Sequence, residues 1–162
     1  MRALRNAMLL MLALVTTTAL AQSDAQKSFD KLKSLAGAWQ GKDQASRPVR
    51  VSYRVTANGS ALMSEIHSDE DMISMFHLDS DRLLMTHYCA AGNQPRMKAS
   101  ASPDGKTITF EFLDATNLAT PESGHMHRVV FNLIDGNHHT EEWTFLDNGK
   151  EVKEVFDLQR KS

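Results

Sequence analysis

The sequence predicts an all-β protein, a single up-and-down antiparallel barrel of about ten strands with a short N-terminal helical turn. Apolar and polar residues alternate in short runs from residue 35 to residue 160, which is typical of half-buried strands. Turn-forming dipeptides such as Asn58-Gly59 and Asp104-Gly105 separate these runs and supply the positive φ angles of tight hairpins. A sheet of so many strands has to curl, and closing it into a barrel removes its exposed edges.

Residues 1–21 have the three parts of a secretory signal peptide. Arg2 and Arg5 give a charged start, residues 7–15 form an apolar run, and residues 19–21 form a small-x-small cleavage site before Gln22. The apolar run is too short to span a bilayer, and a buried N-terminal helix is the alternative interpretation. We expect removal of the signal peptide to leave one β-barrel domain at residues 22–162, in the periplasm or secreted.

Charge and cysteine usage restrict the partners of this domain. The chain has 18 Lys and Arg against 20 Asp and Glu, and loss of Arg2 and Arg5 with the signal peptide leaves a net charge of −4 with neutral histidines. This acidic balance argues against nucleic acid as a partner, and no apolar stretch after residue 21 is long enough for a transmembrane segment. Cys89 is the single cysteine, so we expect a disulfide-free domain stabilised by its core.

The elements follow one another as a meander. Residues 28–34 predict one or two helical turns, and short connections follow nearly every strand, so we expect hairpins throughout. A two-sheet sandwich is the alternative, but sandwiches need longer Greek-key crossovers than these connections supply. The predicted strands are 35–42, 48–56, 60–67, 72–79, 82–89, 96–102, 106–114, 124–134, 138–147 and 150–160.

The turns also predict which side chains face the interior, because a tight turn fixes the register and alternation does the rest. A three-residue loop around Asp135-Gly136 matches the apolar faces better than a two-residue turn. The sequence leaves the facing of strands 60–67 and 82–89 open, since Leu84 and Met75 also allow an inward Tyr88. The predicted inward pairs are Val51–Ile66, Tyr53–Ser64, Ser74–His87, Phe76–Met85, Ala99–Phe110, Val129–Trp143, Phe131–Glu141 and Trp143–Glu154.

The segment Gly37-Ala38-Trp39, which opens the first strand, resembles the G-x-W signature of lipocalins and other members of the calycin superfamily. Trp39-Gln40-Gly41 also resembles the start of nitrobindin-like barrels. The resemblance implies that Trp39 closes one barrel end and that a basic residue near the C-terminus, here Arg160, stacks on it. The chain lacks the lipocalin T-D-Y segment and disulfides, and it lacks the nitrobindin glycine repeat. The resemblance therefore implies a fold and carries no activity with it, as in uncharacterised exported lipocalin-like proteins of bacteria.

Tracing the strand directions brings several chemically useful side chains to one end of the barrel. We call this end, at which the first strand finishes near Gly41, the mouth. The long connections 90–95 and 115–123 lie at the same end, as binding loops on a barrel commonly do. The side chains predicted to face inward there are His87, Cys89, His125, His127, Trp143 and Glu154.

These side chains support two interpretations. In the first, His-x-His and His-x-Cys on a strand place two ligands on one face, which suits zinc or haem iron. In the second, the same side chains form a hydrogen-bonded polar rim around the mouth and hold no cofactor. Alternation places Glu141 and Glu154 inside the barrel, Glu141 nearer the end opposite the mouth, and an unpaired interior carboxylate is costly. We expect Tyr53, a histidine, Arg96, Arg128 or water as the partners.

Our first functional hypothesis is a non-enzymatic barrel that binds a small, mainly apolar molecule, with no catalytic residue and no cofactor. Methionines such as Met72 and Met97 suit an adaptable apolar cavity. The predicted ligand-binding residues are Tyr53, His87, His125, His127, Trp143 and Glu154. The alternative is a metal- or haem-dependent protein whose ligands come from His87, Cys89, His125 and His127. A third hypothesis is a homodimer formed through the outer apolar residues Ile73, Leu84 and Val130.

Overall fold

The computed structural model describes residues 22–161, and the predicted signal peptide at 1–21 lies outside this range. One α-helix and ten strands follow one another along the described chain, with a single 3-10 turn at 57–59. None of the helical residues within 22–161 forms a segment long and apolar enough to cross a bilayer. The elements are α1 (Asp24–Lys33), β1 (Gly37–Lys42), β2 (Pro48–Thr56), β3 (Ala61–His67), β4 (Asp71–Asp79), β5 (Arg82–Tyr88), β6 (Gln94–Ala101), β7 (Thr107–Thr116), β8 (His125–Asp135), β9 (His138–Asp147) and β10 (Lys150–Arg160).

The ten strands form one closed antiparallel barrel. Each strand pairs with its neighbours in sequence, and β1 pairs with β10 to close the ring. This confirms the predicted all-β barrel and excludes the two-sheet sandwich. Closure gives every strand a neighbour on both sides, so the backbone hydrogen bonds of the sheet are made within the ring.

The registers predicted from the turns are confirmed. Tyr53 pairs with Ser64, and Ser74 pairs with His87. Phe131 pairs with Glu141, as the three-residue loop requires. Asn148-Gly149 closes its hairpin with φ values of 49° and 74°, a conformation that Asn and Gly adopt more readily than other residues. A dipeptide pattern that sets the turn therefore also sets the inward face of two strands.

The helix closes the end of the barrel opposite the mouth. It begins earlier than the predicted 28–34, because the Ser23 side chain accepts a hydrogen bond from the Gln26 backbone N–H and caps the first turn. Phe29 and Leu32 on α1 are buried and join the hydrophobic core of the barrel. Lys31 donates a 2.7 Å hydrogen bond to the Gly105 carbonyl in the β6–β7 turn. We call this sealed side the closed end.

Trp39 occupies the closed end in the way that the G-x-W resemblance implies. Its indole N–H donates a 2.7 Å hydrogen bond to the Leu35 carbonyl, and the Arg160 guanidinium lies over its ring at 4.3 Å from the centroid. Arg160 also donates to the carbonyls of Ser34 and Ala36. The last residue of β10 thus ties the segment between α1 and β1 to the barrel wall.

Above Trp39, aromatic rings fill the barrel. Phe76, Phe110 and Phe131 come from three different strands and meet in edge-to-face contacts with centroids 5.5–5.9 Å apart. All three side chains are fully buried. The lower half of the interior is therefore a packed core rather than a cavity.

Candidate functional site

Glu141 lies in the interior and is fully buried. The Tyr53 hydroxyl donates to its Oε1, and the Trp143 indole N–H donates to its Oε2 at 2.9 Å. His139 Nε2 lies 3.2 Å from Oε1. The predicted need of this carboxyl for partners is therefore met by Tyr53 and a histidine. The two arginines predicted as further partners, Arg96 and Arg128, pair with Asp114 and Glu111 instead.

The same contacts determine the protonation state of Tyr53. Burial, together with the negative charge of Glu141, raises the pKa of Tyr53 well above its usual value. Tyr53 therefore stays protonated and serves as a permanent hydrogen-bond donor. This arrangement holds Glu141 in place, and both of its oxygens already accept hydrogen bonds.

His87 faces the interior, and the alternative facing of β5 is wrong. Its side chain is fully buried, whereas Tyr88 is 50% exposed. Nδ1 lies 2.9 Å from the Ser74 hydroxyl, and Nε2 has no hydrogen-bond partner within the described chain. The ring centroid lies 4.9 Å from that of Trp143. Burial lowers the pKa of His87 to about 4, so the ring is neutral at neutral pH.

His125 and His127 lie close together but do not follow the strict alternation used to predict them. Both rings contact Phe112, at centroid distances of 4.4 Å and 5.8 Å. Met126 between them is also buried and packs in the core. The cause is a register irregularity between Met126 and Arg128, which breaks the period of two at this end of β8. Strict alternation places His125 and His127 on one face and does not account for the burial of Met126 between them.

Glu154 does not belong to the buried interior, contrary to prediction. Its side chain is 38% exposed and accepts a 2.9 Å hydrogen bond from Arg47 Nη2. The reason is that β1 ends at Lys42, opposite Asp157, so the rest of β10 has no strand on that side. The loop at 43–47 covers this gap, and its arginine reaches the carboxylate.

Arg47 forms ion pairs with three carboxylates at the mouth. It contacts Asp43 in its own loop, Asp69 in the β3–β4 loop and Glu154 on β10. Burial alone would raise the pKa of Asp43, but the hydrogen bonds and charge of Arg47 outweigh it and lower that pKa. We call this group the Arg47 clasp. It joins two loops of the mouth to the barrel wall.

The four predicted metal ligands do not form a three-ligand group in the described chain, although His125 and His127 have ring centroids 5.7 Å apart. Within residues 22–161, no three His, Cys, Asp or Glu side chains are placed to hold one metal ion. Cys89 lies just beyond the end of β5 and is half-buried, and burial raises the pKa of its thiol. His87 binds Ser74 instead, and His125 binds the Ser123 carbonyl at 2.8 Å. Two of the four predicted ligands, His87 and His125, therefore make hydrogen bonds to protein groups.

The mouth contains a cleft that the sequence did not reveal. It lies between the β5–β6 loop, the β7–β8 loop and the end of β9, with a volume of about 420 Å³. We call it the mouth cleft. Alternation patterns do not report on loop residues, and only the position of the two long connections pointed to this region. Its walls are both apolar and polar and consist of Ala91, Asn93, Asn117, Ala119, Ser123, Gly124, Phe145 and Asp147.

Comparisons with known proteins identify similar folds but no family for this chain. No family model matches the chain, and no curated protein matches it in sequence. Among solved structures, Rv2717c from M. tuberculosis is similar, with a TM-score of 0.57 and 14% identity over 83% of this chain and 98% of its own.

A second solved structure is similar to this chain over part of its own length. It is a protein of unknown function from the DUF3598 family of Nostoc punctiforme PCC 73102, with a TM-score of 0.53 and 11% identity. The match covers 81% of this chain and 49% of that one. The protein therefore has the fold of these antiparallel β-barrels, and at such low identity the likeness extends to the fold alone.

Proposed function

We propose that this protein is an exported, non-enzymatic barrel of the calycin kind that binds a small, mainly apolar molecule in its interior, at the mouth. The proposal includes the signal peptide at residues 1–21 and a periplasmic or secreted location. The G-x-W segment with its stacked Arg160 supports kinship with calycins. The proposal rests on one observation, which is the difference between the two ends of the barrel.

The closed end is sealed by side chains. Phe29 and Leu32 of the helix, and Trp39 above them, are all buried in one core. The mouth is covered by loops and holds the mouth cleft of about 420 Å³, whereas the cleft of about 440 Å³ at the closed end lies between α1 and the β6–β7 turn and is lined by charged side chains such as Asp24, Lys27 and Lys31. Pockets of roughly 300–1,000 Å³ with apolar walls and few polar groups are typical of small-molecule sites. A ligand is therefore expected to enter and bind at the mouth.

Apolar side chains continue from the core into the mouth. Met72 on β4 and Phe145 on β9 are partly exposed and pack against the buried core. Phe145 also forms part of the cleft wall. His87 and Trp143 are buried and contact each other, and neither belongs to the walls of the mouth cleft. Exposed apolar surface that is continuous with a core is favourable for an apolar ligand.

The buried polar groups favour a structural role over catalysis. Glu141 is fully buried and both its oxygens accept hydrogen bonds. His87 is held by Ser74 and is neutral, with its pKa lowered by burial to about 4. A general acid or base needs a pKa near the working pH and access to its substrate. The pKa of His87 does not meet the first requirement, and both side chains are fully buried, so neither meets the second.

The most direct test is native mass spectrometry combined with an absorbance spectrum of protein purified from its own host. We expect an added mass of a small organic molecule. A haem band or a bound metal would replace this proposal with the alternative in which His87, Cys89, His125 or His127 act as ligands.

A binding assay locates the site. We expect the neutral fluorophore N-phenyl-1-naphthylamine to bind the wild-type protein, and Ala91→Trp, which fills the mouth cleft, to weaken binding. Ile134→Trp is the control, because Ile134 is 50% exposed near the closed end. Equal binding by both variants would place the fluorophore elsewhere and contradict the proposal.

A further inference from the structure

We propose that the mouth cleft recognises the ammonium group of a small amine that carries an apolar body. This inference rests on the proposed function and specifies the chemistry of its ligand. It is carried by three features of the cleft walls: an unpaired amide oxygen, a single carboxylate and an aromatic side chain.

The amide oxygen belongs to Asn93, which is only 4% exposed. Its Nδ2 donates a 2.8 Å hydrogen bond to the Gly124 carbonyl. A carbonyl oxygen only accepts, so this bond fixes the orientation of the amide group. Oδ1 is left buried without a partner among residues 22–161. A buried acceptor without a partner is costly, and a ligand that supplies an N–H group removes that cost.

The charge of the cleft walls favours a cationic hydrogen-bond donor on the ligand. Asp147 is the single charged side chain among the described residues that line the cleft, and it is exposed to solvent. No lysine or arginine among those residues is present to neutralise an anionic ligand. A carboxylate and a free amide oxygen in the walls of one cleft favour a cation with several N–H donors, and a primary ammonium group has three.

The apolar body of the ligand has its own wall. Phe145 lines the cleft beside Gly124, at which even a Cβ atom would lie 2.7 Å from the phenylalanine ring. A side chain at position 124 would therefore push this ring away from its present place. The aromatic side chain suits both an apolar group and the cation itself, since ammonium ions are attracted to ring faces.

The two loops that form the cleft are tied to each other. Asn117 Nδ2 donates to the Gly92 carbonyl, and Asn93 reaches Gly124 across the same gap. The β5–β6 loop also closes on itself, because the Cys89 N–H donates to the Asn93 carbonyl at 3.1 Å. These bonds hold Asn93 in position before a ligand arrives, which reduces the cost of binding.

Calorimetry with three matched probes tests the inference: 2-phenylethylamine, 2-phenylethanol and 3-phenylpropanoate, at pH 7. We expect the amine to bind about tenfold more tightly than the alcohol, as charge-assisted hydrogen bonds allow, and the carboxylate to bind least. Asp147→Asn is expected to weaken amine binding about tenfold and to leave alcohol binding within about twofold. The 15N-labelled side-chain amide of Asn93 is expected to shift when the amine is added.

The matched control is Glu151→Gln, which removes the same charge from the neighbouring strand β10 outside the cleft. If the amine binds no better than the alcohol, or if Asp147→Asn has no greater effect than Glu151→Gln, the inference is wrong. Binding of the alcohol and of the neutral fluorophore without a preference for the amine would overturn this inference alone. Binding of none of these probes would overturn the proposed function as well.

Discussion

The rings of His87 and Trp143 lie 4.9 Å apart although their strands, β5 and β9, are not neighbours in the barrel. This contact crosses the interior of the barrel, where both side chains are buried. His87 contributes a neutral ring to it, because burial lowers its pKa to about 4.

We predict that stability falls as the pH falls from about 6.5 to about 4. In that window the unfolded chain binds a proton at His87, where the ordinary histidine pKa of 6.5 applies, and the folded chain does not, so acid favours unfolding. A difference between 6.5 and about 4 corresponds to a loss of about 3 kcal/mol. Urea unfolding at several pH values measures it. His87→Gln is expected to show a smaller loss over the same range, and an equal loss would contradict the assignment.

We predict that Tyr53→Phe lowers the free energy of unfolding by about 1–3 kcal/mol, since it removes a donor from a buried carboxyl. Urea unfolding at pH 7 measures the effect. The control is Tyr88→Phe, because Tyr88 is 50% exposed and such surface changes stay within about 0.5 kcal/mol. Similar losses for the two variants would mean that the Tyr53–Glu141 bond does not stabilise the interior.

We predict that Trp39→Ala costs about 3–5 kcal/mol, as large-to-small changes in a core do. Arg160→Ala is expected to cost less and to make Trp39 more accessible to acrylamide, because the guanidinium covers its ring. Fluorescence quenching and thermal unfolding measure the two effects. Arg82→Ala, which breaks a surface pair with Asp79, serves as the control. Unchanged stability in Trp39→Ala would make the G-x-W resemblance accidental.

We predict that Arg47→Leu opens the mouth loops without unfolding the barrel. Three carboxylates of the clasp then face one another without a cation. Hydrogen exchange is expected to accelerate at the backbone amides of the 43–47 loop, where the Asp43 N–H donates to the Arg47 carbonyl. Arg54→Leu is the control, because its one described side-chain bond is to Met63 Sδ. Equal exchange in both variants would show that the clasp does not order the loop.

We predict that the mature protein begins at or near Gln22, the residue after the small-x-small site. N-terminal sequencing of the exported protein measures this. Material recovered outside the cytoplasm that still begins at Met1 would remove the argument for export.

The strand plan could be predicted because turn chemistry and alternation act locally. Asn148-Gly149 alone determines that Phe145 pairs with Val152 and that Trp143 pairs with Glu154. Both pairs are found. The same reasoning placed His87 and Tyr53 on inward faces, and burial confirms both positions. Local rules are sufficient where hairpins are tight and strands are regular.

The candidate site could be predicted less well, because it depends on departures from regularity. No turn-forming residue in the sequence indicates the register irregularity next to His127. The exposure of Glu154 follows from the short length of β1, which lies at the other end of the sequence. Asn93 lies in a loop, where its free oxygen depends on a tertiary bond to Gly124. Such features arise from contacts between residues far apart in sequence, and the residue pattern of a single strand does not predict these contacts.

The pairing of β1 with β10 has a consequence for how the barrel folds. Trp39 and Arg160 are register partners that stand near the two ends of the described chain, so closing the ring joins residues separated by nearly the whole domain. Every other strand pair joins neighbours in sequence. Contacts of such long range carry the largest loop-closure entropy and form slowly. We expect the meander to form first as an open sheet, and the ring to close only when the final strand is available.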